Sequence, residues 1–569
     1  MAQEETPQGG EKQGKPYQRI LHSKSFIPIV VVVGLILVIL LSSRLAGRPP
    51  QIETITPKTG KPGEVMIITG RYFGRERNGE VRISGISPTS GEYIEWTDTA
   101  ISVVIPDEAA SGLVYVVTKN GKSRGLLFTN SDQIPVPASG PARPGEPSID
   151  IIQPMAARIG EVITIKGKNF GLEKGSSEVY FAWAGGSEPD AAGVSEPVNL
   201  VAARDYNYDY VSWTDIEIVL RVPDGAASGN VLVSSDKGRS NSLYFEVLDG
   251  AGLKSFLDPN EFSIRYGLSV GDIEASGENA LYLWMPQIIT TPEQRRVELV
   301  LRTPEPMLGN RYGTALYAFT DVRKDARYDI SLEYSFERFA VGTQLNALKV
   351  ASAYDSSSEM YRHFTSPDID CPAAGPDIQK ALSGILKGEK NPYLKAKRIY
   401  DYILAQLSYA PLDRGSDPGA TLRTRRGDAF SYTALACTLL RAAGIPARMT
   451  SGYLIGSAQE LTLRHFWNEF YIETVGWIPM DPLLGDVPTL SPLAAGADAD
   501  LKSFYFGNLD NRHVTFTKGL ETVNRMSPDG SARRRSDYPF LLTIHEETIG
   551  GITDYRAAFE DIREIVDRD

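Results

Sequence analysis

Cysteine is nearly absent from this sequence: Cys371 and Cys437 are the two thiols in 569 residues. A disulfide framework of the kind that holds small secreted domains together is therefore excluded. The two read as buried free thiols, with one bridge between them left open. Histidine is also scarce, with five residues at no metal-type spacing, so neither a metal site nor a cofactor is expected. Positive charge is in deficit, 59 Lys and Arg against 71 Asp and Glu, for a net charge of −12. Phosphate backbones would be repelled, and no nucleic-acid partner is expected. A hydrophobic content of 42% is ordinary for globular protein, and the length allows roughly three to five domains.

Long apolar runs are missing from all but one place. Phe26 to Leu41 is uncharged and almost wholly apolar, and Ser25, Ser42 and Ser43 extend it. At about 1.5 Å per residue it just spans a hydrocarbon core of about 30 Å. A cleaved signal peptide competes with this reading. Against it stand a polar lead-in of 24 residues and the lack of a clear small-x-small site before Arg44. Residues 25–43 are therefore expected to be an uncleaved transmembrane signal anchor in the inner (cytoplasmic) membrane. Lys12, Lys15, Arg19 and Lys24 precede the span, which places residues 1–24 in the cytoplasm and the bulk of the chain in the periplasm or outside the cell.

The exported part repeats itself. Ile55-Thr56-Pro57, Gly63-Glu64-Val65, Ile68-Thr69-Gly70 and Phe73-Gly74 recur 97 residues later, from Ile152 to Gly171. Trp96-Thr97-Asp98, Pro106, Ser111-Gly112, Gly121 and Phe128 recur at an offset of 117, from Trp213 to Phe245. The change of offset puts a 20-residue insertion in the second copy, within Gly185 to Tyr210. Short β-branched runs broken by Gly and Pro predict two small β-sandwiches. The motif order resembles the IPT/TIG immunoglobulin-like module, over 50–130 and 148–248. That resemblance implies a spacer or a protein-binding unit, and a stalk is the expected role. Residues 131–147 read as a stiff Pro-rich linker.

Residues 249–365 alternate in strand fashion and form a third, β-rich domain. Helical spacing follows: Ile378, Leu382, Ile385 and Leu386, then Ala396, Ile399, Tyr400, Ile403, Leu404 and Leu407. From Arg425 to Asp486 the chain carries Arg441, Gly444-Ile445-Pro446-Ala447-Arg448, Gly452-Tyr453, His465, Trp467, Gly476-Trp477 and Asp481-Pro482. This combination resembles the transglutaminase-like superfamily, relatives of the papain-type cysteine peptidases, and the domain is expected over 366–520. The whole is thus a multidomain chain: one transmembrane helix, two immunoglobulin-like sandwiches, a β-rich domain and an α+β transglutaminase-like domain.

A cysteine in the first turn of a helix has its thiolate stabilised by the helix dipole and a nearby imidazolium, and a carboxylate fixes the histidine's orientation. His465 and Asp481 fit the last two roles. A hairpin centred near Glu473 would set them directly opposite one another, on one face. The resemblance implies a Gly-x-Cys motif opening the helix before Gly444-Ile445-Pro446-Ala447-Arg448; counted along the chain that motif falls on Gly427-Asp428-Ala429, and Ala429 has no nucleophilic atom. Ser431 is about 200° around the helix, and Cys437 is about 12 Å along it. Asp428 reads as the helix N-cap. Trp467, Trp477 and Tyr453 are expected to wall a groove able to hold a peptide or glycan. Residues 521–569 form a C-terminal extension, with an acidic amphipathic helix expected from Glu547 and carrying Tyr555, Phe559, Ile562 and Ile565 on one side. The expected function is that of a membrane-anchored, envelope-facing scaffold or binding protein with an inactive transglutaminase-like domain. The competing reading is an active acyl-transfer enzyme altered at Ala429.

Overall fold

The computed structural model describes residues 48–564, apart from 76, 78, 108, 111, 131–144, 186–198, 312, 412–416, 457–461, 494–499, 520–525, 527–530 and 535–543. The expected tail and membrane anchor, and most of the expected linker, lie outside these residues. Among the described residues no helix is long and apolar enough to cross a membrane. The chain divides into two compact units, Met1–Ser139 and Gly140–Asp569.

The first unit contains one β-sandwich, and the second begins with another of the same wiring. Strands Gln51–Thr56, Val65–Arg71, Ala100–Val104 and Tyr93–Trp96 form one sheet in that order. Strands Ser148–Gln153, Val162–Lys168, Glu217–Arg221 and Tyr210–Trp213 repeat it. The repeated residues do repeated work. Trp96 and Trp213 each donate an indole N–H to the carbonyl of the paired phenylalanine, Phe73 and Phe170, at 3.1 and 3.2 Å. At Gly70 and Gly167 an added Cβ would lie 1.9 and 2.0 Å from a carbonyl oxygen of the neighbouring strand, so no larger residue fits. Tyr93 and Tyr210 cap the backbone N–H of Val81 and Val179. This equivalence confines the insertion to the segment between Ala182 and Tyr210, where it adds a short strand, Leu200–Ala202, beside Tyr180–Ala182.

The second sandwich is not a free spacer. Its core runs into the β-rich region that follows, where Trp183 packs against Phe256 and Phe339 at 5.4 and 5.0 Å, beneath the Arg295 guanidinium. The inserted segment docks as well. Arg448 donates to Asn207 Oδ1 at 2.8 Å, and Tyr208 meets His363 at 2.9 Å. Gly160 explains why the approach can be so close, since a Cβ there would fall 1.8 Å from the Tyr471 hydroxyl. The stalk expectation therefore fails for this copy: its outward face is an internal interface.

The β-rich region is one seven-stranded sheet built on Gly252–Pro286, a bent strand of 35 residues. Tyr328–Leu345 pairs with its first half, between Gly252 and Val270, on one side. His545–Glu564 pairs on the other, where an acidic helix was expected. The helical spacing of Tyr555, Phe559 and Ile562 is real, but Tyr555, Ala557 and Phe559 also lie on one face at period two. A long edge of unpaired backbone groups decides between these patterns. Gly550 and Gly551 let the two strands close. A Cβ at Gly551 would stand 1.7 Å from the Ser276 carbonyl oxygen. The C-terminal extension thus completes the third domain.

The distal domain sets helices against a four-stranded antiparallel sheet in the order Gly476–Met480, Thr462–Ile472, Ala447–Ile455, His513–Lys518. Helices Pro376–Leu386 and Pro392–Gln406 bury Ile378, Leu382 and Ile385, and Ala396, Ile399, Tyr400 and Ile403. Asn391 caps the latter by accepting from Leu394 N, and Pro392 fills its first position. The central helix, Ala429–Ala442, is apolar nearly all round and is buried from Phe430 to Arg441.

Candidate functional site

Ala429 is the first residue of the central helix, and it is half-buried. Asp428 is the N-cap: its Oδ1 accepts from the Ser431 backbone N at 3.0 Å and from the Ser431 hydroxyl at 2.9 Å. The Ser431 hydroxyl is thereby committed to the cap. Cys437 is fully buried two turns further on. Thr433 Oγ1 stitches this first turn to the histidine strand, bonding the carbonyl oxygens of both Ala429 and Phe466 at 2.9 Å. Asn468 donates to the Thr433 carbonyl at 3.0 Å, and Phe430 meets Phe466 edge-on. The helix N-terminus is thus laid across the residues that follow His465.

His465 Nε2 and Asp481 Oδ2 are 2.5 Å apart, with 3% and 0% of their surfaces exposed. The hairpin register differs from the expected one. Ile472 pairs with Gly476 and Asn468 with Met480, which moves the turn centre from Glu473 to Thr474. Thr474 takes the left-handed conformation (φ 68°) and Gly476 has φ 95°. Asp481 then lies diagonal to His465 instead of directly opposite. A shift of two in partner number preserves the face, which is why the two side chains still meet. Asp481 also caps the following turn, its Oδ1 accepting from Leu484 N at 2.9 Å. Nδ1 of His465 makes no hydrogen bond among the described residues, and it is the nitrogen free to serve a reacting group.

Behind the pair stands a second one that the sequence reading missed. His513 Nε2 is 3.2 Å from the same Asp481 oxygen, and its Nδ1 is 2.9 Å from Asp510 Oδ1. Asp510 in turn accepts from Tyr505, whose hydroxyl contacts Ser491. Burial alone would raise the Asp481 carboxyl. The charges and hydrogen bonds of His465 and His513 outweigh it and hold it well below the usual carboxylate range. Asp510 is likewise held low against burial by His513. For His513 burial works to lower the pKa, but the two carboxylates prevail and push it up to about 9. The D-x-x-H spacing of Asp510 and His513 was the available signal, but three residues along a chain do not reveal a shared Asp481.

Scattered histidines suggested no metal cluster, yet His465, Asp481 and His513 bring ligand-type atoms within 4.8 Å of one another. Both ring nitrogens of His513 face carboxylate oxygens, Nδ1 at Asp510 and Nε2 at Asp481. With both ring nitrogens on carboxylates it is an imidazolium at neutral pH, a donor with no lone pair for a cation. This assignment has a pH signature. The folded pKa of about 9 lies above the ordinary 6.5, so the stabilisation is complete below about pH 6.5 and is lost as pH rises through about 9. A gap of that size amounts to on the order of 3 kcal/mol. The depressed Asp481 and Asp510 give the opposite limb, retained above about pH 4 and lost as pH falls. Melting temperature is expected to decline between pH 6.5 and 9, and His513→Gln is expected to flatten that decline. An unchanged alkaline limb in the variant would refute the imidazolium.

The three aromatics expected to wall a groove face inward instead. Trp467 is 1% exposed, stacked on His465 with ring centroids 6.1 Å apart and packed in the core shared with the second sandwich. Trp477 is 2% exposed beside Phe364, with the Arg448 guanidinium 3.9 Å from its ring centroid. Tyr453 is fully buried in the core shared with the long sheet, and its hydroxyl bonds Asp561 at 2.8 Å. They belong to three different packing clusters and wall no common groove. The physical reason is the strands' burial on both faces, by helices on one side and by the second sandwich and long sheet on the other.

Residues 379–482 match the transglutaminase-like superfamily, and residues 50–133 match the IPT/TIG domain. The chain therefore contains both domains. It is 33% identical over 92 residues to a cyclomaltodextrin glucanotransferase of Paenibacillus macerans, covering 15% of this chain. The chain spans about 13% of that curated relative's length. Among solved structures, a protein described as a candidate cysteine protease from Cytophaga hutchinsonii aligns with 55% of this chain and 93% of its own, at 16% identity and a TM-score of 0.37. The periplasmic domain of TgpA from Pseudomonas aeruginosa aligns with 42% of this chain and 91% of its own, at 14% identity and a TM-score of 0.25.

Proposed function

We propose that this chain, with its transglutaminase-like domain at 379–482 and its IPT/TIG domain at 50–133, is a membrane-anchored, envelope-facing protein that binds a protein or peptide partner without acyl transfer. The observation that carries this reading is Ala429: a methyl group stands at the start of the central helix, where the superfamily's thiol chemistry needs a nucleophile. Neither neighbour replaces it, since the Ser431 hydroxyl is bound to Asp428 and Cys437 is buried two turns away. The inward packing of Trp467, Trp477 and Tyr453 removes the aromatic groove that was expected to hold a peptide or a glycan, so the partner is not assigned to that place. The apolar segment 25–43 supports the anchor, and the basic residues before it support export of the remainder.

The assembled His465–Asp481 pair favours a second reading, an acyl-transfer enzyme whose nucleophile has been altered at Ala429. Incubating the full-length chain with glutamine-containing peptides and a primary amine, followed by mass spectrometry, separates the two. No cross-linked or hydrolysed product above the buffer rate is expected. Turnover that disappears in His465→Ala would sink the binding reading.

A further inference from the structure

Two buried thiols outside the His465 site stand next to each other. Cys437 and Arg441 are one turn apart on one face of the central helix. Arg441 Nη1 is 2.6 Å from Asp368 Oδ2 and donates to the Ser366 carbonyl at 2.9 Å. The other oxygen of Asp368 accepts from the Cys371 backbone N at 2.8 Å. The loop carrying Cys371 is therefore fastened to the helix one turn from Cys437. The two cysteines are 1% and 0% exposed, pack in one apolar cluster and have side chains in direct interaction. Burial pushes the Cys371 thiol well above its usual range. At Cys437 burial acts the same way, but the partner thiol and the Arg441 guanidinium outweigh it and hold the thiol below its usual value.

We propose that Cys371 and Cys437 are a disulfide site, whose closure bolts the loop before the first helix of the domain to the helix that begins at Ala429. The oxidant is the disulfide form of a thiol oxidoreductase, as an oxidising envelope supplies. During folding, the Cys371 thiolate attacks a sulfur of that disulfide, forming a mixed disulfide and releasing one oxidoreductase thiolate. The Cys437 thiolate then attacks the Cys371 sulfur and expels the second. Two electrons pass to the oxidoreductase, which leaves as a dithiol, and two protons leave the cysteines. The source of oxidant rests on the envelope-facing reading; the juxtaposition of the thiols does not.

The test uses the full-length chain in detergent, equilibrated in glutathione buffer near about −200 mV, acid-quenched, denatured and treated with N-ethylmaleimide. The chain has two cysteines, so the intact mass gives the state without ambiguity. Monomer carrying no maleimide is expected, and monomer carrying two after dithiothreitol. The bridge closes a loop of roughly 65 residues, so the oxidised form is expected to melt higher by on the order of 5–10 °C, a shift absent in Cys371→Ser. Two maleimides at that potential, glutathione adducts or a covalent dimer would overturn the proposal, and the wild-type mass alone decides if the variant does not fold. Alkylating intact cells before lysis separates the location. A bridge that closes in buffer while both thiols are capped in cells refutes the envelope-facing reading and leaves the site standing.

Discussion

A cysteine placed at position 429 is expected to be alkylated at pH 6 about tenfold faster than an ordinary exposed thiol, and to lose that advantage when His465 is removed. The helix N-terminus and the neighbouring His465 side chain both favour a thiolate, and a fall in thiol pKa from about 8.5 to about 5.5 raises the thiolate fraction at pH 6 by about 200-fold. Reactivity per thiolate falls as its basicity falls, with a Brønsted slope of about 0.45, and this returns a factor of about 20. About tenfold remains. The Asp428 carboxylate at the N-cap opposes the shift, so Asp428→Asn should move the reactivity profile further toward acid. Site-resolved iodoacetamide kinetics between pH 5 and 9 on Ala429→Cys, alone and with His465→Ala, would measure this, since Cys371 and Cys437 are buried. A profile with an inflection near about 8.5 in both variants would show that position 429 does not face the histidine. The assignment of a vacated nucleophile would then be wrong.

Lys518→Met is expected to destabilise the second unit by about 3–5 kcal/mol, the cost of leaving buried carboxylates without their cation. Lys518 Nζ lies 2.8 Å from Glu293 and 2.7 Å from Glu469, and all three are nearly inaccessible. Burial raises both carboxyls, but Lys518 outweighs it, with Arg338 at Glu293 and Arg448 at Glu469, so both stay ionised below their ordinary range. Glu469 also holds Arg448 at 2.7 Å, and Arg448 reaches Asn207 in the second sandwich. Loss of Lys518 therefore strikes the junction of three domains at once. Thermal unfolding is expected to start on the order of 10 °C lower. Adding Glu293→Gln should recover at least half of the loss, because Glu469 keeps Arg448 when the other orphaned charge is gone. A double variant no more stable than Lys518→Met would show that the loss comes from packing and not from unpaired charge.

Much of the candidate site could be read along the chain because its chemistry is local in sequence. Asp428 before an apolar helix, His465 on a strand and Asp481 after a short hairpin lie within one contiguous segment, and the period of two keeps the pair on one face even though the turn centre moved by one residue. Trp467, Trp477 and Tyr453 were harder, because an aromatic on a strand looks the same whether it meets solvent or another domain. Only the second sandwich, the long sheet and the overlying helices turned all three inward. His513 and Asp510 lie beyond the region the superfamily match covers, and nothing along the chain ties them to Asp481.

The two sandwiches, the amphipathic helices, the Asp428 cap and the absence of a nucleophilic atom at position 429 were all legible along the chain. Each of these depends on residues near one another in the chain, where spacing and side-chain chemistry suffice. The tertiary structure alone decided that the last strand pairs across the long sheet, that the insertion in the second sandwich docks onto the distal domain, and that His513 stands behind the His465–Asp481 pair. It also decided that Cys371 meets Cys437. These are pairings between groups tens to hundreds of residues apart. Their free energy comes from closing a sheet edge, covering an apolar face or neutralising a buried charge, and none of these partners exists until the chain has folded.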